Sequence, residues 1–288
     1  TCALSGATDG TKSLLVTAND TANNINNSIS LSVVVDATSP TSLSFVSPTL
    51  ADGTNLSRNY YEVNLTFTET NPNNCLFDDG SNTSMTRVGS SCFINRTSQS
   101  DGTKTYRVFV NDTAGNIAVS ATRTVVIDTT APASLAYQTP TPASGTNLSR
   151  NYYEVNFTFT ETNPDKCLLE VNGANESMTR TGTVCFINRT SQSDGSYTFK
   201  VWVNDTAGNT EDDPTTRTVR IDTTAPTVTA DLPVNGTNTS DTTPEISVNV
   251  TDNLNVTNIN VSLWVDGSLN GASKLVNNGS NARFNTTA

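Results

Sequence analysis

The 288-residue chain has no histidine, only two tryptophans and two methionines, and just 15% charged residues, with 27 Asp and Glu against 16 Lys and Arg. Each shortage excludes something. Without histidine there is no imidazole to act as a general base, to activate a cysteine or to complete a Cys/His zinc set. With a net charge of -11 and no basic cluster, neither nucleic acid nor an anionic membrane is a fitting partner, because both are held chiefly through Lys and Arg. No apolar run approaches the roughly 20 residues of a membrane span, and no leader of the export type opens the sequence. There is no glycine-rich phosphate loop. Carboxylates that could form a hydrolytic pair, Glu62 with Glu154 or Glu69 with Glu161, recur in each copy of a repeat, whereas an active site is normally built once. The sequence therefore predicts that the protein is not an enzyme.

What the chain does contain is Asn, Thr and Ser on a scaffold of Val, and it says the same thing twice. Asn55 to Pro72 reads NLSRNYYEVNLTFTETNP, and Asn147 to Pro164 differs only in Phe157 for Leu65. The phrase DATSP at Asp36, then DTTAP at Asp128 and Asp222, marks the end of each copy. These landmarks divide the chain into residues 1–39, 40–131, 132–225 and 226–288, the inner two complete and the outer two partial. Cys2 aligns with Cys92 and Cys185, so both ends are expected to stop inside a domain of a longer chain. Head-to-tail completion of the two partial domains by strand exchange is a less economical alternative, since it would leave Cys2 without a partner.

Within a copy the apolar period is two. Tyr61, Val63, Leu65 and Phe67 alternate with polar residues, as do Tyr106, Val108 and Val110, and the second copy repeats both patterns. In the last segment Ile246, Val248 and Val250 are expected to form one buried face in the same way. About seven short strands per repeat, separated by Gly, Asn, Asp and Pro turns and with no helical stretch, predict an all-β chain of tandem sandwiches. Proline in each junction fixes its own backbone and restricts the residue before it, so the connections should be short and stiff. The phrase NDTAGN at Asn111 and Asn204, followed by a strand and DTTAP, resembles the tandem immunoglobulin-like modules of bacterial and archaeal surface proteins and large adhesins. That resemblance implies an immunoglobulin-like sandwich fold and an extracellular array.

Four cysteines fall in matched pairs, Cys75 with Cys92 and Cys167 with Cys185. One disulfide per complete domain is expected, since two cysteines without histidine cannot complete a zinc site. Disulfides in turn imply an oxidising, extracytoplasmic location. Nineteen Asn-X-Ser/Thr triplets occur, where composition alone gives about ten. The expected N-glycan carriers are Asn19, Asn55, Asn64, Asn82, Asn95 and Asn111, their counterparts Asn147, Asn156, Asn175, Asn188 and Asn204, and Asn235, Asn249 and Asn260. Several alternate with apolar strand residues and so should face outward; the alternative is an unmodified Asn/Thr-rich surface. Dense N-glycosylation would suit an archaeal or eukaryotic surface better than most bacteria.

Asp112 and Asp205 lie in the NDTAGN turns, while Asp128 and Asp222 end their repeats at a junction. The resemblance implies calcium near such junctions, held by carboxylates; the competing reading is that these aspartates cap turns. Asp212 and Asp213 read as a loop charge pair. Phe109 and Trp202 fall on the outward parity of their strands, either as a carbohydrate-stacking platform or as aromatics covered by a neighbour. Together these features predict a structural segment of an extracellular, cell-surface stalk, sheath or filament, with neighbouring copies or surface glycans as partners and polymerisation as one form of assembly. Two alternatives stand beside it: an adhesin array binding glycan or another cell, and spacer modules of a secreted glycan-degrading enzyme.

Overall fold

The protein is described by a computed structural model covering residues 6–254 and 259–285; Cys2 lies outside them. Among the described residues every regular element is a strand, and no helix is long and apolar enough to cross a membrane. The chain divides into two compact units, Thr1–Thr130 with Thr206–Asn209, and Ala131–Asp205 with Thr210–Ala288.

The first unit opens with an antiparallel ribbon of β1 (Gly10–Asn19) and β2 (Ile25–Val35). Ten strands follow: β3 (Thr41–Val46), β4 (Thr54–Leu56), β5 (Tyr61–Thr68), β6 (Pro72–Asp78), β7 (Asn82–Ser84), β8 (Thr86–Val88), β9 (Ser91–Arg96), β10 (Gly102–Asp112), β11 (Ile117–Val119) and β12 (Arg123–Ile127). They form two sheets. One has the order β3-β5-β9-β8, the other β4-β12-β10-β6-β7 with β11 also on β10, and β4 runs parallel to β12.

The predicted parity places the core between these sheets. Tyr61, Val63, Leu65 and Phe67 of β5 are buried, and so are Tyr106, Val108 and Val110 of β10. Tyr106 stacks on Tyr61 and Phe77 at ring-centroid distances of 5.5 and 5.2 Å. Each fully buried side chain of this size contributes about 1.5–3 kcal/mol relative to exposure. Cys75 of β6 and Cys92 of β9 form a disulfide that joins the two sheets through the core, with Cα atoms 6.3 Å apart.

The second unit repeats the plan in β13 (Ala133–Gln138), β14 (Thr146–Leu148), β15 (Tyr153–Thr160), β16 (Pro164–Val171), β17 (Ala174–Ser177), β18 (Thr179–Thr181), β19 (Val184–Arg189), β20 (Gly195–Asp205), β21 (Thr210–Asp212) and β22 (Arg217–Ile221). The sheets β13-β15-β19-β18 and β14-β22-β20-β16-β17 again enclose a core crossed by a disulfide, Cys167 to Cys185. Beyond β22, Thr227–Leu232, Glu245–Thr251 and Ser280–Asn285 form a three-stranded sheet. Here the alternation expected of Ile246, Val248 and Val250 is blurred. Ser247, on the opposite parity, is fully buried, while Ile246 and Val248 are only half-buried. The reason is polar: the Ser247 hydroxyl donates to Asp231 Oδ2 at 2.8 Å, and the Asn281 amide donates to the same oxygen at 2.8 Å.

Two outcomes follow from this packing. Replacing Cys75 and Cys92 together by Ser should lower the unfolding free energy of that repeat by about 3 kcal/mol, as the chain-entropy model gives for a loop of this length; urea titration of the variant beside the disulfide-intact protein measures it. Burial also pushes the Tyr106 and Tyr153 phenols up to about 12. The unfolded chain then loses these protons first, so the tyrosine contribution to stability should be in full force below pH 10 and be lost as pH rises from 10 towards 12, as read by denaturation from neutral pH across that range.

Candidate functional site

Three loops open a long strand with the same dipeptide: Asp9-Gly10 before β1, Asp101-Gly102 before β10 and Asp194-Gly195 before β20. In each, the carboxylate reaches across to the junction phrase that ends the repeat. Asp101 accepts from the Thr129 amide at 3.1 Å, the Thr129 hydroxyl at 2.8 Å and the Thr130 hydroxyl at 3.0 Å. Asp194 accepts from the amide and hydroxyl of Thr223 at 2.8 and 2.7 Å and from the Thr224 hydroxyl at 2.7 Å. It also accepts from the Asn253 amide, in the segment that follows. Asp9 binds the Ala37 amide and the Thr38 hydroxyl. Bonds to the charged form favour it, and the Thr129 hydroxyl above all holds Asp101 below the usual carboxylate range, as the Thr223 hydroxyl does Asp194.

At the junction in the first unit, three further carboxylates meet. Asp112 is buried at the end of β10, where it accepts from the amide and side chain of Asn116 at 2.8 and 2.7 Å. Gly115, at φ 94°, lets the chain close this turn. Burial pulls the Asp112 pKa upward, but bonds from Asn116 and from the Gly115 and Ala114 amides outweigh it and hold the carboxyl below its ordinary value. The Asn116 side-chain Nδ2 also donates to the Asp36 carbonyl at 3.0 Å, tying the turn to the junction. Glu69 points one oxygen at the Thr70 and Asn71 amides.

The Asp36, Glu69 and Asp112 carboxylates each bring an oxygen within 4.8 Å of the others, and none of them takes part in an ion pair among the described residues. These three oxygens are close enough together for one hard cation, which takes oxygen ligands at about 2.4 Å, to reach them all. The counterparts one repeat on in sequence are Asp128, Glu161 and Asp205. In the last segment, Thr251 pairs with Thr227 as Thr68 pairs with Thr41. Asp252 therefore takes the place of Glu69, and it lines one groove with Asp222.

With repeated sandwiches and repeated junctions in place, comparison with known proteins agrees. Residues 131–223 match the family model described as bacterial Ig-like domain, and residues 183–285 match that of bacterial Ig-like domain (group 3). Residues 131–285 thus carry bacterial Ig-like domain sequence. Similar solved structures include a tetra-tandem repeat in the extending region of a large adhesion protein, at 20% identity over 97% of this chain and 74% of that one, TM-score 0.36. Fibronectin(III)-like modules of Clostridium thermocellum CbhA match at 14% identity over 62% of this chain and 93% of theirs, TM-score 0.38. The I-band fragment I67-I69 of titin matches at 11% identity over 80% and 86%, TM-score 0.43. No curated protein matches the chain. Bacterial Ig-like domains are structural or adhesive modules, typically without catalysis, and with buried disulfides they fit an extracellular or surface protein.

Within these Ig-like domains the candidate glycan carriers divide. Asn19, Asn55, Asn82, Asn95, Asn147, Asn175, Asn188, Asn235 and Asn260 are exposed, whereas Asn64, Asn111, Asn156, Asn204 and Asn249 are half-buried. Asn249 uses its amide nitrogen twice, towards the Gly279 carbonyl and Asn281 Oδ1, both at 2.9 Å. Asn64 and Asn156 donate theirs to the Ser47 and Thr139 carbonyls at 3.2 and 3.0 Å. Outward parity alone does not reveal these bonds. Asp212 and Asp213 also do more than read as a loop charge pair: Asp212 pairs with Lys200 at 3.0 Å, and Asp213 is buried and caps Thr215. The Asp-Gly straps and the contribution of Asp36 and Glu69 to the acidic triad are absent from the sequence reading. Their repetition about every 92 residues was the available signal.

Replacing Asp101 by Ala should speed hydrogen exchange at the Thr129 amide while leaving the amides of β5 and β10 unchanged. In the unaltered protein the strap should hold in full above the ordinary carboxylate pKa, about 4, and loosen only as pH falls through the lower folded value, because the folded carboxyl is depressed. Exchange at Thr129 measured across the acid range checks both.

Proposed function

We propose that this chain is a structural segment of an extracellular cell-surface stalk, sheath or filament, in which glycosylated Ig-like repeats add length. The recurrence of the same junction carries this reading. At Asp9, Asp101 and Asp194 a carboxylate binds the linker directly after the closing strand of its repeat. An adhesive surface needs no such repetition of connectors, whereas an extender depends on it. Each repeat adds one sandwich and one strapped, proline-restricted joint, so length follows copy number.

Two chemical additions complete the mechanism. Calcium on the acidic triad would offset two of the three negative charges of Asp36, Glu69 and Asp112 and cross-link residues from the ribbon end, from the loop after β5 and from the end of β10. N-linked glycans on the asparagines of the Asn-X-Ser/Thr triplets would cover strand edges and hinder proteases.

Calcium at about a hundredfold excess over its dissociation constant should stabilise the occupied fold by about 2.7 kcal/mol. The expected result is a rise in Tm on adding calcium to chelator-treated protein, a rise that is reduced in a variant carrying Asp36→Asn and Glu69→Gln. An unchanged Tm in both proteins would remove calcium from the mechanism. Intact mass before and after enzymatic deglycosylation should fall by the mass of several glycans; a mass equal to the bare chain would remove the coat.

A further inference from the structure

The outer face of the larger sheet carries a small groove at the same place in both complete repeats. In the first, Leu76, Asn82, Phe109, Asn111 and Ile117 line about 240 Å³. In the second, Leu168, Glu170, Asn175, Trp202, Asn204 and Thr210 are among the residues lining about 310 Å³. The correspondence is by register, since Phe109 pairs with Leu76 and Trp202 with Leu168 on matching strands. An aromatic floor, an aliphatic wall and two asparagines recur, and both asparagines in each groove belong to Asn-X-Ser/Thr triplets.

Around the second groove Lys200, Glu170 and Asp212 satisfy one another, and Lys166, which lines its edge with an exposed side chain, lies 4.0 Å from Asp165. Lys200 pairs with Asp212 at 3.0 Å and with Glu170 at 3.8 Å, lies 4.3 Å from the Trp202 ring centroid, and Trp202 Nε1 donates to Glu170 Oε2 at 2.9 Å. In the first, Arg107 is paired with Asp78 at 2.9 Å and lies over Phe109. What the groove offers a ligand is therefore a half-buried aromatic surface and amide groups. That combination suits an uncharged, amphipathic ring, and the volume lies at or just below the small end of ligand pockets, roughly 300–1,000 Å³.

We infer that these grooves are cradles for the first sugar of N-linked glycans on Asn111 and Asn204, with Phe109 and Trp202 as stacking shelves. This rests on the N-glycosylation reading above. Residues two apart on a strand share a face, so the Asn111 side chain stands beside Phe109 and that of Asn204 beside Trp202. The carbonyl end of each amide is already anchored: Asn111 Oδ1 accepts from the Asn74 amide at 3.0 Å, and Asn204 Oδ1 from the Lys166 amide at 2.9 Å. This fixes the amide plane. Asn204 Nδ2 donates one hydrogen to Asp165 Oδ2 at 3.1 Å, and N-glycosylation replaces only one of its two hydrogens, so that bond can persist. A pyranose presents a face of C–H groups with partial positive charge, complementary to the negative face of an aromatic ring. The sugar would thereby cover the aromatic that the sandwich leaves half-exposed, and the first residue of each glycan would be held rather than free.

Site-resolved mass spectrometry of the glycoprotein, followed by NMR of the first-sugar protons at Asn204, tests this. The expected result is occupancy at Asn204 with upfield ring-current shifts of the sugar C–H protons. Those shifts should be lost in Trp202→Leu with occupancy retained, and kept in smaller size in Trp202→Phe, the type of residue that Phe109 supplies in the other repeat. An unmodified Asn204 would overturn both the cradle and glycosylation at this site. An occupied Asn204 without ring-current shifts would overturn the cradle alone, and shifts confined to a sugar on Asn175 would overturn the choice of Asn204.

Discussion

The two-residue period of an extended strand is the constraint on which the rest of this molecule depends. On β5 and β10 it sends Tyr61, Val63, Leu65, Phe67, Tyr106, Val108 and Val110 inward, and on β6 and β9 it sends Cys75 and Cys92 inward as well, where they meet. The opposite parity sends Asn64, Phe109 and Asn111 out. Core, covalent clip and polar outer face thus follow from one periodicity, and a one-residue slip in register would exchange them. The aromatic stack of Tyr61, Tyr106 and Phe77 makes such a slip costly, because it would expose large apolar area and bury polar groups.

A sandwich built this way is self-contained, so the connection between repeats needs its own chemistry. Here that chemistry is a carboxylate at the start of one strand that binds the linker after another. In the first unit Asp101 and the Thr129-Thr130 pair stand beside the strand pairing of Gly102 with Ile127. The strap therefore extends the sheet's hydrogen bonding into the linker. The Asp112 turn serves the same end differently: its capped loop presents Asn116 to the Asp36 carbonyl. Turn capping and ligand supply are accordingly not rival readings of Asp112, since its carboxylate does the first and remains within reach of Asp36 and Glu69 for the second.

The fold was legible because its signals are local or repeated. Alternation identifies buried faces within a single strand, and two matched copies make the cysteine pairs visible at 17 and 18 residues apart. The candidate site was less legible because its members converge through long-range pairing. Asp36 and Glu69 come together only because β3 pairs with β5, and Asp112 joins them through the bulged end of the pairing of β10 with β6. Asp101 and its partner Thr129 are 28 residues apart, which no periodicity reveals. Ser247 shows the converse failure, where a buried hydrogen bond to Asp231 overrides an apolar pattern that reads correctly elsewhere.

An extender has to bear load along its length, with the inter-sheet disulfide limiting how far each repeat can open. Stretching single molecules of this chain from its two ends, with and without reductant, tests that claim most directly, because forced unfolding reports the unfolding rate of each repeat. The account predicts two discrete unfolding events for the complete repeats, each releasing a contour length that lacks the segment between its paired cysteines, and each lengthening by that segment once the disulfide is reduced. Smooth extension at low force without discrete events, or events whose lengths ignore reductant, would contradict it.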